Sequence, residues 1–307
     1  MDTHMLRPIL IALTLSLPFS FVQADTPRVV TDIAPVHGLV SMVMEGIAEP
    51  VLLIQPTDSP HTNAMRPSSA AALQNADVVF WVGPQLTSWL QGPLDSLADG
   101  ALMVALLDLD ETHRLPFRDS DAFEPHEHDH AHDNHAATTD PHAWLDPGNA
   151  TVWLARIAET LKSIDPEHAA QYDANASDAQ SQIAKEVTTA RDLLTPLAGR
   201  PFVVFHDAYH YFEAAFDLHS MGALALSDAA SSGPSHIAGI QSIIREQGVV
   251  CVFSEPQFND RLVRTVIDGT PAKSIELDPL GASLSPGVSF YPALIRDMAQ
   301  RFAECLQ

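Results

Sequence analysis

Short runs of apolar residues recur along the chain, and between them the apolar positions change to a spacing of three and four. Residues 29–31, 51–54, 78–82 and 102–107 have the length and continuity of strands buried on both faces. Residues 36–45 and Pro67–Gln74 read as helices lying between them, the second opened by a proline in its first turn. The theme returns in the second half. Strands are expected over 202–205, 249–254 and 273–277, and helices over 208–216, 235–246 and 261–270. Strands that alternate with helices build parallel sheets flanked by helices. A long stretch without strand pattern separates the two sets, so the expectation is an α/β protein of two lobes, each a mostly parallel sheet flanked by helices.

The separating region has two parts. Residues 110–139 contain the run EPHEHDHAHDNH at 124–135, which has no apolar periodicity and reads as a loop. Between Pro166 and Pro196 there is no Gly or Pro, and apolar residues fall at Tyr172, Ala176, Ala179, Ile183, Val187, Ala190 and Leu194. Those steps place them on one face of a long amphipathic helix. About 29 residues rising about 1.5 Å each span roughly 45 Å, enough to run the length of a two-lobed molecule as a rigid spine. The expected organisation is a signal segment over 1–24, a first lobe over 25–165, the linking helix over 166–198, and a second lobe over 199–307.

The N-terminus sets the compartment. Arg7, the apolar residues 8–22 and the small residues around Val22-Gln23-Ala24 form the pattern of an export signal, with the exported chain starting at Asp25. No cysteine follows the apolar run, so no lipid anchor is expected, and no later stretch approaches the roughly 18 to 20 apolar residues of a membrane span. The expected location is the periplasm, as a monomer. The charge is -23, from 39 Asp and Glu against 16 Lys and Arg. Such a surface repels nucleic acid and anionic headgroups and attracts cations, though solubility alone also explains an acidic excess. Cys251 and Cys305 are the two cysteines. In an oxidising compartment an even pair favours a disulfide, with two buried thiols as the alternative.

Histidine changes the picture most, with 15 in the chain. His126, His128, His130, His132 and His135 alternate with Glu127, Asp129 and Asp133 in the low-complexity run. Imidazole is a common ligand for zinc, copper and nickel, so this loop is expected to bind such ions weakly, ordering itself as it does so. Three more histidines stand where strands give way to loops: His61 after 51–54, His142 in Asp140-Pro-His-Ala-Trp-Leu-Asp-Pro, and His206 at the end of 202–205. Ligands gather outside the carboxyl ends of strands in α/β sheets, so these positions can converge on the cleft between the lobes, which spacing alone does not establish. Trp144, Tyr209 and Phe212 are expected to wall the cleft, and Asp140, Asp207 and Glu255 to accept from imidazole N–H groups, or, for Asp207, to cap a helix. His37 and His210 fit helical patterns as structural residues, and His168 and His219 read as surface positions.

The segments HTNAMRPSSAAALQNADVVFWVGP, DPHAWLDP, FVVFHDAYHYFEAAF, VCVFSEPQF and ELDPLGASL resemble, in matching order, the zinc-specific periplasmic binding proteins of ABC importers. The resemblance runs from about Val29 to Cys305. It implies two α/β lobes joined by one rigid helix, no enzymatic activity, Zn²⁺ held by His61, His142 and His206, and delivery to a membrane permease working with an ATPase. In manganese-binding relatives a carboxylate typically stands at the position of His206 and the His-rich loop is missing. The resemblance also supports the Cys251–Cys305 bridge. Several zinc-binding relatives carry a carboxylate before the first histidine, where this chain has Pro60; relatives often place a ligating carboxylate where Asp278 stands, so the resemblance implies Asp278 as the fourth ligand, with a water as the alternative. The competing readings are a manganese or iron receptor on the same scaffold, a zinc hydrolase, which would need a general base that no HExxH pattern supplies, and a surface adhesin.

Overall fold

The computed structural model describes residues 26–62, 64–118, 139–225 and 233–307. The expected export signal (1–24) and the His-rich run (124–135) lie outside the described residues. The chain opens with β1 (Val29–Thr31), α1 (Ala34–Val43), β2 (Val51–Leu52), α2 (Pro67–Gln74), β3 (Val78–Trp81), α3 (Gln91–Leu97) and β4 (Leu102–Ala105). Two helices follow, α4 (Pro147–Ile164) and α5 (Ala169–Leu194). The second half is β5 (Phe202–His206), α6 (His210–Phe216), β6 (Ser220–Ala225), α7 (Pro234–Glu246), β7 (Cys251–Ser254), α8 (Arg261–Ile267), β8 (Lys273–Glu276) and α9 (Phe290–Leu306). The sheets have the orders β2-β1-β3-β4 and β6-β5-β7-β8, and every strand pair is parallel. The same winding is thus used twice, so the carboxyl ends of β1, β3, β5 and β7 carry the inner connections of each half.

The expected strands and helices fall where the pattern put them, within a few residues at the ends. One expectation fails. β2 and β4 are not buried on both faces: Val51 is 46% exposed and Leu102 45%. They are edge strands with a neighbour on one side only, whereas β3 and β5, inside their sheets, are buried throughout.

The linking helix is as expected. α5 has 26 residues, with 3-10 turns at Pro166–His168 and Thr195–Leu197 prolonging it at both ends. Its buried residues are Tyr172, Ala176, Ala179, Ile183, Ala190 and Leu194. It packs against α1, α4 and α9. α9, at the end of the chain, lies along α5 and reaches α1, where a Cβ on Gly38 would stand 3.0 Å from the Phe290 ring. One apolar core therefore runs from β1 and β3 through α5 and α9 to β5 and β7, with a second cluster on the other face of the second sheet. Cys251 at the start of β7 is bonded to Cys305 in α9, with Cα atoms 5.7 Å apart, which excludes the two-thiol alternative. The bridge holds α9 to the second sheet while its apolar face holds the first half. Among the described residues no helix is long and apolar enough to cross a membrane.

Candidate metal centre

Three connections bring the site together. His206 is the last residue of β5. His142 directly precedes a 3-10 turn at Ala143–Leu145, which leads into α4. α4 starts there because Asp146 accepts from Gly148 N at 2.7 Å and Pro147 occupies its first position. His61 lies in the connection between β2 and α2. That connection is held by Trp89 Nε1, which donates to Pro60 O at 2.8 Å, and by Ser59 Oγ, which accepts from His61 N at 3.3 Å.

The three imidazoles meet. Each offers a ring nitrogen, and the three nitrogens all lie within 4.8 Å of one another. His61 Nε2 and His142 Nε2 are 3.3 Å apart. That is about the 3.3 Å separating two nitrogens bound at about 2.0 Å to one tetrahedral zinc. Ring centroids stand 5.3 Å apart for His61 and His142, 5.3 Å for His142 and His206, and 6.4 Å for His61 and His206. Ser59, Pro60, Trp144, Gln257, Phe258 and Leu280 are among the residues of the wall, and the space left accommodates about one water-sized body.

Two buried carboxylates stand behind two of the rings. Asp140 Oδ1 accepts from His142 Nδ1 at 2.7 Å and from its backbone N at 3.0 Å. Glu255 Oε1 accepts from His206 Nδ1 at 2.8 Å. A carboxylate on Nδ1 fixes the proton there and leaves the Nε2 lone pair facing the pocket. Burial pushes the Asp140 carboxyl up to about 7, against the His142 backbone hydrogen bond that favours the ionised form. Three neutral imidazoles carry no charge, so a divalent ion here would meet its compensating charge in Asp140 and Glu255, one ring away.

Other expected residues fall elsewhere. Asp278 is buried after β8, but it is not in the three-imidazole group: its oxygens accept from Leu280 N at 2.9 Å, from Ala282 N and from Gln257 Nε2 at 3.0 Å. They brace a turn in which Gly281 has φ +68, and a Cβ there would also meet the Phe290 ring. Asp207 neither caps α6 nor backs an imidazole; it pairs with Arg118. Phe212 is not in the wall but stacks on Phe302, while Tyr209 donates to Leu277 O at 3.0 Å. His37 is structural, with Nε2 against Pro50 O at 3.1 Å, and burial lowers its pKa. His210 is half-buried, its Nδ1 4.0 Å from Asp140 Oδ2. His168 is not a free surface group, since its Nδ1 sits 2.7 Å from Asp165; His219 is exposed. The five histidines of the low-complexity run, His126, His128, His130, His132 and His135, lie outside the described residues.

Sequence reasoning passed over Arg118 and Tyr211. Arg118 joins Asp207 and Glu213 in a buried ion-pair cluster between the two halves. Tyr211 OH accepts from Leu115 N at 2.9 Å and donates to Asp140 O at 2.8 Å. Neither sits in a pattern that distinguishes it from any other loop arginine or helix tyrosine.

Fold and site together define a class: a two-lobed solute-binding protein whose pocket is fitted to one metal ion. The chain belongs to the family described as zinc-uptake complex component A, periplasmic, whose model matches residues 29–305. The high-affinity zinc uptake system protein ZnuA of Brucella abortus is 40% identical over 313 residues, covering 94% of each chain. The protein of the same description from Paracoccus denitrificans is 40% identical over 323 residues, covering 98% of this chain and 99% of its own. A crystal structure of ZnuA shares the fold with a TM-score of 0.75 at 19% identity, over 92% of this chain and all of that one. The resemblance carried by the sequence motifs is therefore borne out.

Proposed function

We propose that the protein captures Zn²⁺ in the periplasm with His61, His142 and His206 and delivers it to the permease of an ATP-driven importer. The observation that carries this reading is the convergence of three ring nitrogens, from three distant segments, within 4.8 Å. Three imidazoles suit borderline-soft zinc, whereas manganese and magnesium favour oxygen. Asp278 is the expected fourth ligand, but its oxygens already hold the turn and Gln257, which favours the alternative, a water, there. Asp140 and Glu255, the carboxylates nearest the rings, are engaged on imidazole nitrogens rather than placed as a general base, which supports capture over hydrolysis. The export signal over 1–24, the division at 25–165, 166–198 and 199–307, a monomeric state and an auxiliary zinc-collecting role for His126, His128, His130, His132 and His135 complete the reading.

Competition titration tests it. The full chain should bind one Zn²⁺ tightly and prefer it to Mn²⁺ at equal free concentration. His142→Ala should lose that site, while deletion of residues 124–135 should leave it. A preference for Mn²⁺, or loss of the tight site with the loop, would overturn the assignment.

A further inference from the structure

Gln257 follows β7, two residues beyond Glu255, and lines the pocket of the three imidazoles. Its Nε2 donates to Pro56 O at 2.9 Å and to Asp278 Oδ1 at 3.0 Å. Two acceptors at one end of a planar amide fix that end as the NH₂ group, since an oxygen there would face two other oxygens. Pro56 belongs to the connection that carries His61, in the first half of the molecule; Asp278 and Gln257 belong to the second. The amide therefore bridges the halves at the edge of the site.

The orientation decides what the other end does. Gln257 Oε1 is buried and has no hydrogen-bond partner among the described residues. A buried carbonyl oxygen without a donor has given up its hydrogen bonds to water and gained none in return, so it calls for a partner. The three imidazoles supply three of the four positions a zinc ion takes, and an ion-bound water brings the two O–H donors that a purely apolar wall could not satisfy.

We propose that Gln257 is the latch of the metal centre. Its NH₂ ties the His61 connection to the Asp278 turn, and its Oε1 accepts a hydrogen bond from the water that completes the ion's coordination. It is a positioning residue, and the inference rests on the zinc-receptor reading. The latch couples two events: once the water is held, the His61 connection is held with it, so the ion leaves only when the amide lets go of Pro56 O.

The test compares the full chain with Gln257→Ala and with Gln257→Leu, which keeps side-chain bulk and removes every hydrogen bond. Ion-free thermal unfolding shows that each variant is folded; if the alanine variant is not, the leucine variant carries the test. Release of Zn²⁺ into excess chelator is followed by stopped flow, and Co²⁺ replaces zinc to report coordination through its visible ligand-field bands. Release should quicken about 10- to 100-fold, the usual effect of removing a group that holds a metal ligand in place. The Co²⁺ bands should change with it, which a mere packing defect would not produce. An unchanged release rate or an unchanged Co²⁺ spectrum would overturn the latch. A parent protein that takes up neither ion would overturn the receptor reading itself.

Discussion

At the scale of single residues, buried carboxylates divide by what they hold. Asp140 and Glu255 hold imidazoles. Asp32 instead joins strand ends, with Oδ1 accepting from Ile33 N and Oδ2 from Val82 N, both at 2.8 Å. Burial outweighs those two hydrogen bonds and pushes its carboxyl up from 3.8 to about 7. The folded protein thus keeps this proton to about pH 7, while the unfolded chain gives it up near 3.8. The folded state is favoured by the protonated form, so the group's contribution is complete below about pH 4 and is lost as pH rises to about 7. Urea unfolding at a series of pH values should show the stability of the parent, relative to Asp32→Asn, falling across that interval by on the order of 2–4 kcal/mol. A difference independent of pH would refute it.

At the scale of elements, a charge cluster adds to the apolar core that joins the two halves. Arg118 comes from the stretch before the His-rich run, Asp207 follows β5, and Glu213 lies in α6. Ser220 Oγ completes it by donating to Glu213 at 2.9 Å. Burial raises the Asp207 carboxyl while Arg118 pulls it back down. Removing the guanidinium would leave two carboxylates buried without their cation, which costs more than the pair itself contributes. Arg118→Met should therefore lose about 3–5 kcal/mol of stability in denaturant unfolding. Because Asp207 adjoins His206, zinc affinity should fall as well, and a variant as stable as the parent would show the cluster to be dispensable.

At the scale of the molecule, a core shared by both halves leaves little room for a hinge. α5 and α9 lie against each other and against α1, and the Cys251–Cys305 bridge fixes α9 to the second sheet. A large rotation of one half would have to open that core, so loading should act through the connections around the pocket. Solution X-ray scattering should give the same radius of gyration with and without Zn²⁺, while hydrogen exchange slows around His61 and Gln257. A clear compaction on loading would contradict this.

Much of this was legible in the chain itself. The period of the apolar residues determined the parallel α/β halves and the face of α5, because burial of a strand or helix face is a local demand that each segment states alone. The placement of His61, His142 and His206 at strand ends, together with the motifs around them, was enough to name the three imidazoles and the family. Tertiary structure alone decided the rest. The exposure of β2 and β4 depends on their place in the sheet order, and the loss of Asp207 to Arg118 depends on a contact across 89 positions. Which way Asp278 and Gln257 turn was likewise invisible, since a side chain's hydrogen bonds go to whatever the fold sets beside it. Local periodicity reports what a segment must bury; only the assembled chain settles which polar groups find each other.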